Sequence, residues 1–266
     1  MAAREQKKSD RLNRLMGEAV DVIDGIFHVY RAWWADILTL SLIIFVPLGL
    51  LGAADSHALE SIGPGHDVKV LALIVGALAV TATGVLGEVF LAGAIGLSLT
   101  HAEDGRPPGI RFLTKHLKFG PLIVVDVLYV LSIAFGFVLL IIPGFAALVY
   151  FALAGPIVEI EQQGVKSAFR RSFRLVRGSY WLVFMILVPI EVLGESVRKG
   201  IEAACEALLG HSFIAVGLGE ALAEVALSPL FAIAVVVLTR KMMQQKEGTI
   251  LPGPSPRQLK SGKLSA

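Results

Sequence analysis

Long apolar runs without a single lysine or arginine constrain this chain more than any other feature. Runs such as Val70 to Thr100 do not alternate in polarity, which sets aside a membrane β-barrel, whose strands are about 10 residues long with apolar and polar positions in turn. Crossing about 30 Å of hydrocarbon takes roughly 20 apolar residues in a helix. With 55% hydrophobic and 17% charged residues over 266 positions, the chain exceeds what a soluble domain can bury, and the excess must face lipid. The expected fold class is all-α: a polytopic helical membrane protein with about six transmembrane helices, at Trp34 to Ala54, Val70 to Leu99, Phe119 to Ile142, Phe145 to Ile160, Tyr180 to Glu195 and Phe213 to Leu238. Pro143-Gly144 is expected to form the turn between the third and fourth. Residues 1–33 then form an N-terminal segment with an amphipathic helix, 34–239 the membrane domain and 240–266 a disordered tail, with prolines among serines and lysines. No short basic stretch abuts the first apolar run, so that span is expected to be an uncleaved anchor.

Of the 24 lysines and arginines, 21 fall in the N-terminal segment, the tail and alternate loops, while only Lys69, Arg198 and Lys199 fall on the other side. Because cations stay with the compartment where the chain is made, both termini are expected to be cytoplasmic. Trp33, Trp34 and Trp181 stand at the same boundary, where amphipathic rings prefer to lie.

Ahead of the first span, Leu12, Leu15, Met16, Ala19, Ile23, Ile26, Phe27 and Tyr30 recur at helical spacing. The same design precedes the fifth span, where Val165, Ala168, Phe169, Phe173 and Val176 oppose Lys166, Arg170, Arg171, Arg174 and Arg177. A fainter copy runs from Ile110 to Phe119. The spacing predicts three units, each an interfacial helix, an outward span and a return span. Arg170, Arg171, Arg174 and Arg177 are the candidate contact for anionic lipid head groups or a protein partner. No motif supports nucleic acid.

The stretch from Phe137 to Glu195 carries Ile142-Pro143-Gly144, then Tyr150 to Pro156, then Ser172, Leu175, Gly178 and Trp181 in the pattern Ser-x-x-Leu-x-x-Gly-x-x-Trp. It resembles the prokaryotic family called the glycerophosphoryl diester phosphodiesterase membrane domain. The resemblance implies a prokaryotic plasma-membrane location and no reaction, since nothing in the chain resembles that family's catalytic part.

Glu88, Asp126, Glu191, Glu220 and Glu224 fall inside predicted spans with no lysine or arginine among them. A central acid costs about 2.5–3.5 kcal/mol on insertion scales, so such groups face the bundle interior. Gly217, Glu220, Ala221, Glu224 and Ser228 share one face of the last span, and Glu88 lies on a similar small-residue face of the second. Glu88, Glu220 and Glu224 are the candidate intramembrane polar site, read either as protonated or hydrogen-bonded interhelical contacts or as a path for protons or small cations. Asp126 and Glu191 are expected to meet water or head groups. The six histidines lie in surface or loop segments without a metal-binding pattern, and no phosphate-binding loop exists. No catalytic residues, metal or cofactor are expected, and the expected role is that of a non-enzymatic accessory protein organising lipid or a membrane partner, with an ion-coupled secondary transporter as the alternative.

Overall fold

The computed structural model describes residues 2–60, 86–103, 105–209 and 213–248. The expected span from Val70 therefore lies outside the described residues up to 85. Apart from an isolated bridge between Glu103 and Arg106, the described chain is helical. It comprises α1 (Ala2–Ala32), α2 (Trp34–Glu60), α3 (Leu86–Thr100), α4 (Ile110–His116), α5 (Phe119–Leu139), α6 (Ile141–Phe151), α7 (Ala154–Ile160), α8 (Val165–Val176), α9 (Tyr180–Leu209) and α10 (Phe213–Glu247). Four stretches are long and apolar enough to cross a membrane: Phe119–Leu139, Ile141–Ile160, Tyr180–Cys205 and Ala221–Lys246. A fifth arises if α1 and α2, bent by 84° at Trp33, count as one broken span.

The core sits where the predicted return segments converge. In α10 every residue from Ala232 to Leu238 is buried, in α3 every residue from Leu91 to Leu99, and in α7 every residue from Ala154 to Val158. A helix buried on all faces is surrounded by other helices. The three touch one another: Gly155 of α7 packs on Val89 of α3, Gly96 of α3 on Pro156 and Ile160, and α7 also meets α10. Two polar bridges join α3 to α10, Ser228 to Glu88 at 3.4 Å and Arg240 to the Leu99 carbonyl at 3.2 Å. Both sequence numbers rise together, so these helices run parallel. The outward helices α2, α5 and α9 wrap this centre and leave large apolar side chains outside, among them Ile43, Leu131 and Leu193.

Differences from the expected boundaries have local causes. The turn between α5 and α6 is made by Leu140, the single extended residue there, at φ −168 and ψ 156. Pro143 instead occupies the first turn of α6, where its missing N–H would lack a partner anyway. Gly136 and Gly144 let α6 close onto α5, since a Cβ on Gly136 would fall 2.8 Å from the Gly144 backbone and one on Gly144 2.5 Å from the Phe137 ring. The fourth span breaks at Ala152–Leu153 because Pro156 cannot donate to the Ala152 carbonyl. By contrast, α2, α9 and α10 continue through Pro47, Pro189 and Pro229. Helix α9 does not end at Glu195, because Arg198 and Lys199 pair with Glu195 one turn back and carry it on to Leu209. Helix α10 likewise enters the segment expected to be a disordered tail and runs to Glu247.

Candidate functional site

Helices α1 and α8 both meet the C-terminal part of α10, at the basic end of the bundle, and lysines of α10 tie them down. Lys241 donates to the Glu18 carbonyl of α1 at 2.8 Å, and Lys246 to the Leu175 and Arg177 carbonyls of α8 at 2.6 and 2.7 Å. The place of Lys246 suits a cation because the last carbonyls of a helix, here those at the end of α8, lack intrahelical donors and carry the negative end of its dipole. Trp33, expected in the interface, is buried, and its indole N–H donates to the Gly105 carbonyl at 2.8 Å. Trp34 and Trp181 are each 58% exposed in the first turns of α2 and α9.

The α8 arginines divide. Arg171 turns inward and grips Glu161 with a 2.8 Å contact and its Nε at 3.0 and 3.1 Å, a bidentate pair that closes the α7–α8 connection. Arg170, Arg174 and Arg177 are exposed. Ala168, Ser172, Leu175 and Val176 form the buried stripe, with the Ser172 hydroxyl donating to the Tyr150 carbonyl at 2.6 Å. On α1, Val22, Ile26 and Val29 face the core while Leu12, Met16, Ile23 and Phe27 stay exposed. The nearly perpendicular bend at Trp33 lays α1 across the end of the bundle.

The intramembrane acids form a second centre toward the opposite end. Glu88 of α3, Glu191, Glu195 and Arg198 of α9, and Glu224 and Ser228 of α10 line one small cavity. Arg198 is in ion-pair contact with both Glu224 and Glu195, and Lys199 adds a 3.4 Å contact to Glu195. The Ser228 hydroxyl donates to Glu224 and also reaches Glu88. Glu191 lies within electrostatic range of Arg198 and Glu224. Arg198 comes 18 residues after Tyr180, so about 27 Å along the helix axis. The expectation that the acids have no basic partner is thus corrected: Arg198, read from sequence as part of an outer loop, belongs to a candidate span and supplies the counter-charge. Ala221, Glu224 and Ser228 share the inward face as predicted, and Leu222 is exposed. The side chain of Glu220 lies outside the described residues.

Two expectations for single acids also change. Asp126 is 1% exposed, turned into the bundle away from head groups, with no hydrogen bond to Oδ1 among the described residues. Glu191 lines the shared cavity. That cavity offers ≈ 20 Å³ of water-accessible space, room for about one water molecule. It can hold protons and hydrogen bonds but no organic substrate. Among the described residues no group of histidine, cysteine, aspartate and glutamate side chains is placed to hold a metal ion.

Compared with known proteins, the chain matches no family model, no curated protein and no solved structure. Its class therefore rests on the fold: a helical protein with several helices apolar enough to cross a membrane.

Proposed function

We propose that this is a multi-pass plasma-membrane protein without enzymatic activity, both termini cytoplasmic, that organises anionic lipid or a membrane partner at its basic end. The observation that carries the reading is α8. Its buried stripe is locked to α6 and α10, while Arg170, Arg174 and Arg177 remain exposed, and Trp181 is exposed at the start of α9, the next helix in the chain. A rigid basic face at the level of an aromatic belt suits anionic head groups, each charge contributing about 1 kcal/mol near the surface. The cation asymmetry supports the orientation, and the resemblance to the glycerophosphoryl diester phosphodiesterase membrane domain supports a prokaryotic setting. In nanodiscs containing phosphatidylglycerol, replacing Arg170, Arg174 and Arg177 with glutamine removes about 3 kcal/mol of attraction and should weaken retention of that lipid roughly a hundredfold. Unchanged retention refutes this role.

A second reading, ion-coupled transport, is favoured by one observation: Ser228 lies between Glu88 and Glu224 across the α3–α10 interface, with Arg198 as counter-ion. On that reading Glu88→Gln and Glu224→Gln abolish a proteoliposome ion flux, with Glu220→Gln as the companion variant. Flux that survives these substitutions, or none in the parent protein, removes it.

A further inference from the structure

Among the described residues one aspartate is buried, Asp126 on α5, and its Oδ1 has no hydrogen-bond partner there. One turn further along α5, Tyr129 is buried too, its hydroxyl donating to the Leu148 carbonyl at 3.1 Å. That hydroxyl lies within electrostatic range of Asp126, Glu88 and Glu191. Their heights agree: Asp126 and Tyr129 stand about 10 and 15 Å along α5 from Phe119, and Glu191 about 17 Å along α9 from Tyr180. Toward the basic end the next buried carboxyl is Glu159 of α7, whose Oε1 accepts the Lys118 N–H at 2.9 Å while Oε2 has no partner among the described residues. Glu159 and Leu122, one turn before Asp126, both pack at Gly93 of α3. Buried carboxyls thus succeed one another from the start of α5 to the cavity that Arg198 closes.

We infer that Asp126 carries a transferable proton, which it exchanges with the cavity of Glu88, Glu191 and Glu224 by way of the Tyr129 hydroxyl. This rests on the ion-transport reading and names its ion. A metal ion needs several ligands at once, and no group of three is placed to hold one among the described residues. A proton needs a single oxygen. Of the helices packed on α5, α6 brings Tyr150 and no charged residue, α7 brings Glu159, and α8 spends Arg171 on Glu161 and leaves Lys166, Arg170 and Arg174 exposed. With no cation beside it, a buried carboxyl is held as the neutral acid. Across Tyr129 the cavity differs, because Arg198 supports carboxylates there. In the transfer, the Tyr129 oxygen accepts the Asp126 proton as its own hydroxyl proton passes to the Glu191 carboxylate. Asp126 is left as the carboxylate, Glu191 as the acid and Tyr129 unchanged, and Asp126 regains a proton from the basic end, where Glu159 stands.

The test is infrared spectroscopy of the full chain in nanodiscs, with the aspartate carboxyl carbons isotopically labelled, beside proton flux in proteoliposomes. At neutral pH the labelled protein should show the carbonyl band of a protonated aspartate, shifting on transfer to deuterium oxide and missing in Asp126→Asn. In Tyr129→Phe, which removes one oxygen, the band should remain and deuterate at least about tenfold more slowly. Proton flux should be lost in Asp126→Asn, whereas Asp36→Asn, exposed at the start of α2, should keep both band and flux. No such band in the parent, a band unaltered in Asp126→Asn, deuteration at the parent rate in Tyr129→Phe, or full proton flux in Asp126→Asn overturns the proposal, as does a sodium or potassium flux without protons. The infrared results need no transport. A Tyr129-dependent Asp126 band in a protein that moves no ion therefore keeps the proton site and removes the transport reading alone.

Discussion

Arg198→Met removes the guanidinium that two carboxylates share and leaves Glu224 facing Glu88 and Glu191 across a cavity with room for about one water. Removing one partner of a buried ion pair costs about 3–5 kcal/mol, because the other charge is left uncompensated. Here Arg198 keeps 29% of its side-chain surface and Glu224 13%, so partial screening lowers the expected cost to about 2–3 kcal/mol. At roughly 2–4 °C per kcal/mol for a chain of this size, the melting temperature should fall by about 5–10 °C. Intrinsic fluorescence in detergent reports it, since Trp33, Trp34 and Trp181 stand at helix starts. The double variant Arg198→Met/Glu224→Gln removes the orphaned charge and should recover most of the loss. A single variant melting within about 1 °C of the parent, or a double variant no better than the single, refutes the view that Arg198 holds α9 to α10 by charge.

Other outcomes follow from packing and capping. Gly136→Ala places a methyl against the Gly144 backbone, which cannot give way, and should cost about 1–3 kcal/mol by thermal melting, whereas Gly194→Ala meets nothing within 4 Å and should not destabilise. Lys246→Met removes both donors to the last carbonyls of α8 and should lower stability by about 1–2 kcal/mol, with faster hydrogen exchange at the end of α8. At the α5–α6 hairpin tip, Val138 and Ile142 are over 80% exposed, and no charged residue occurs from Val127 to Val158. Ile142→Cys should therefore resist a water-soluble maleimide and be quenched by spin labels in the acyl chains.

The apolar runs made the helical class readable, and the inward face of the last span was legible in the spacing of Ala221, Glu224 and Ser228. The counter-charge was not. Arg198 reads as a loop residue when charge alone ends a span, although its i, i+3 spacing from Glu195, and that of Lys199 at i, i+4, was a helix signal available in the sequence. Trp33 and Trp34 are adjacent and chemically identical, so only the 84° bend decides that one is buried and the other exposed. Arg240 and Lys246 show the same limit: a ledger of cations counts them toward sidedness, while their work as clamps on α3 and α8 depends on contacts more than 60 residues apart in the chain. The turn at Leu140 was misplaced by three residues because Pro143 and Gly144 serve helix start and close packing rather than the turn itself.

Sidedness is tested most directly by cysteine labelling of intact cells in a Cys205→Ala background. Leu208 is 84% exposed, beyond the candidate span of α9, while Ser167 is exposed on α8 at the basic end. Leu208→Cys should react with an impermeant reagent from outside and Ser167→Cys only after permeabilisation. Reaction of Ser167→Cys in intact cells, with Leu208→Cys protected, would contradict the orientation on which the lipid-organising role depends.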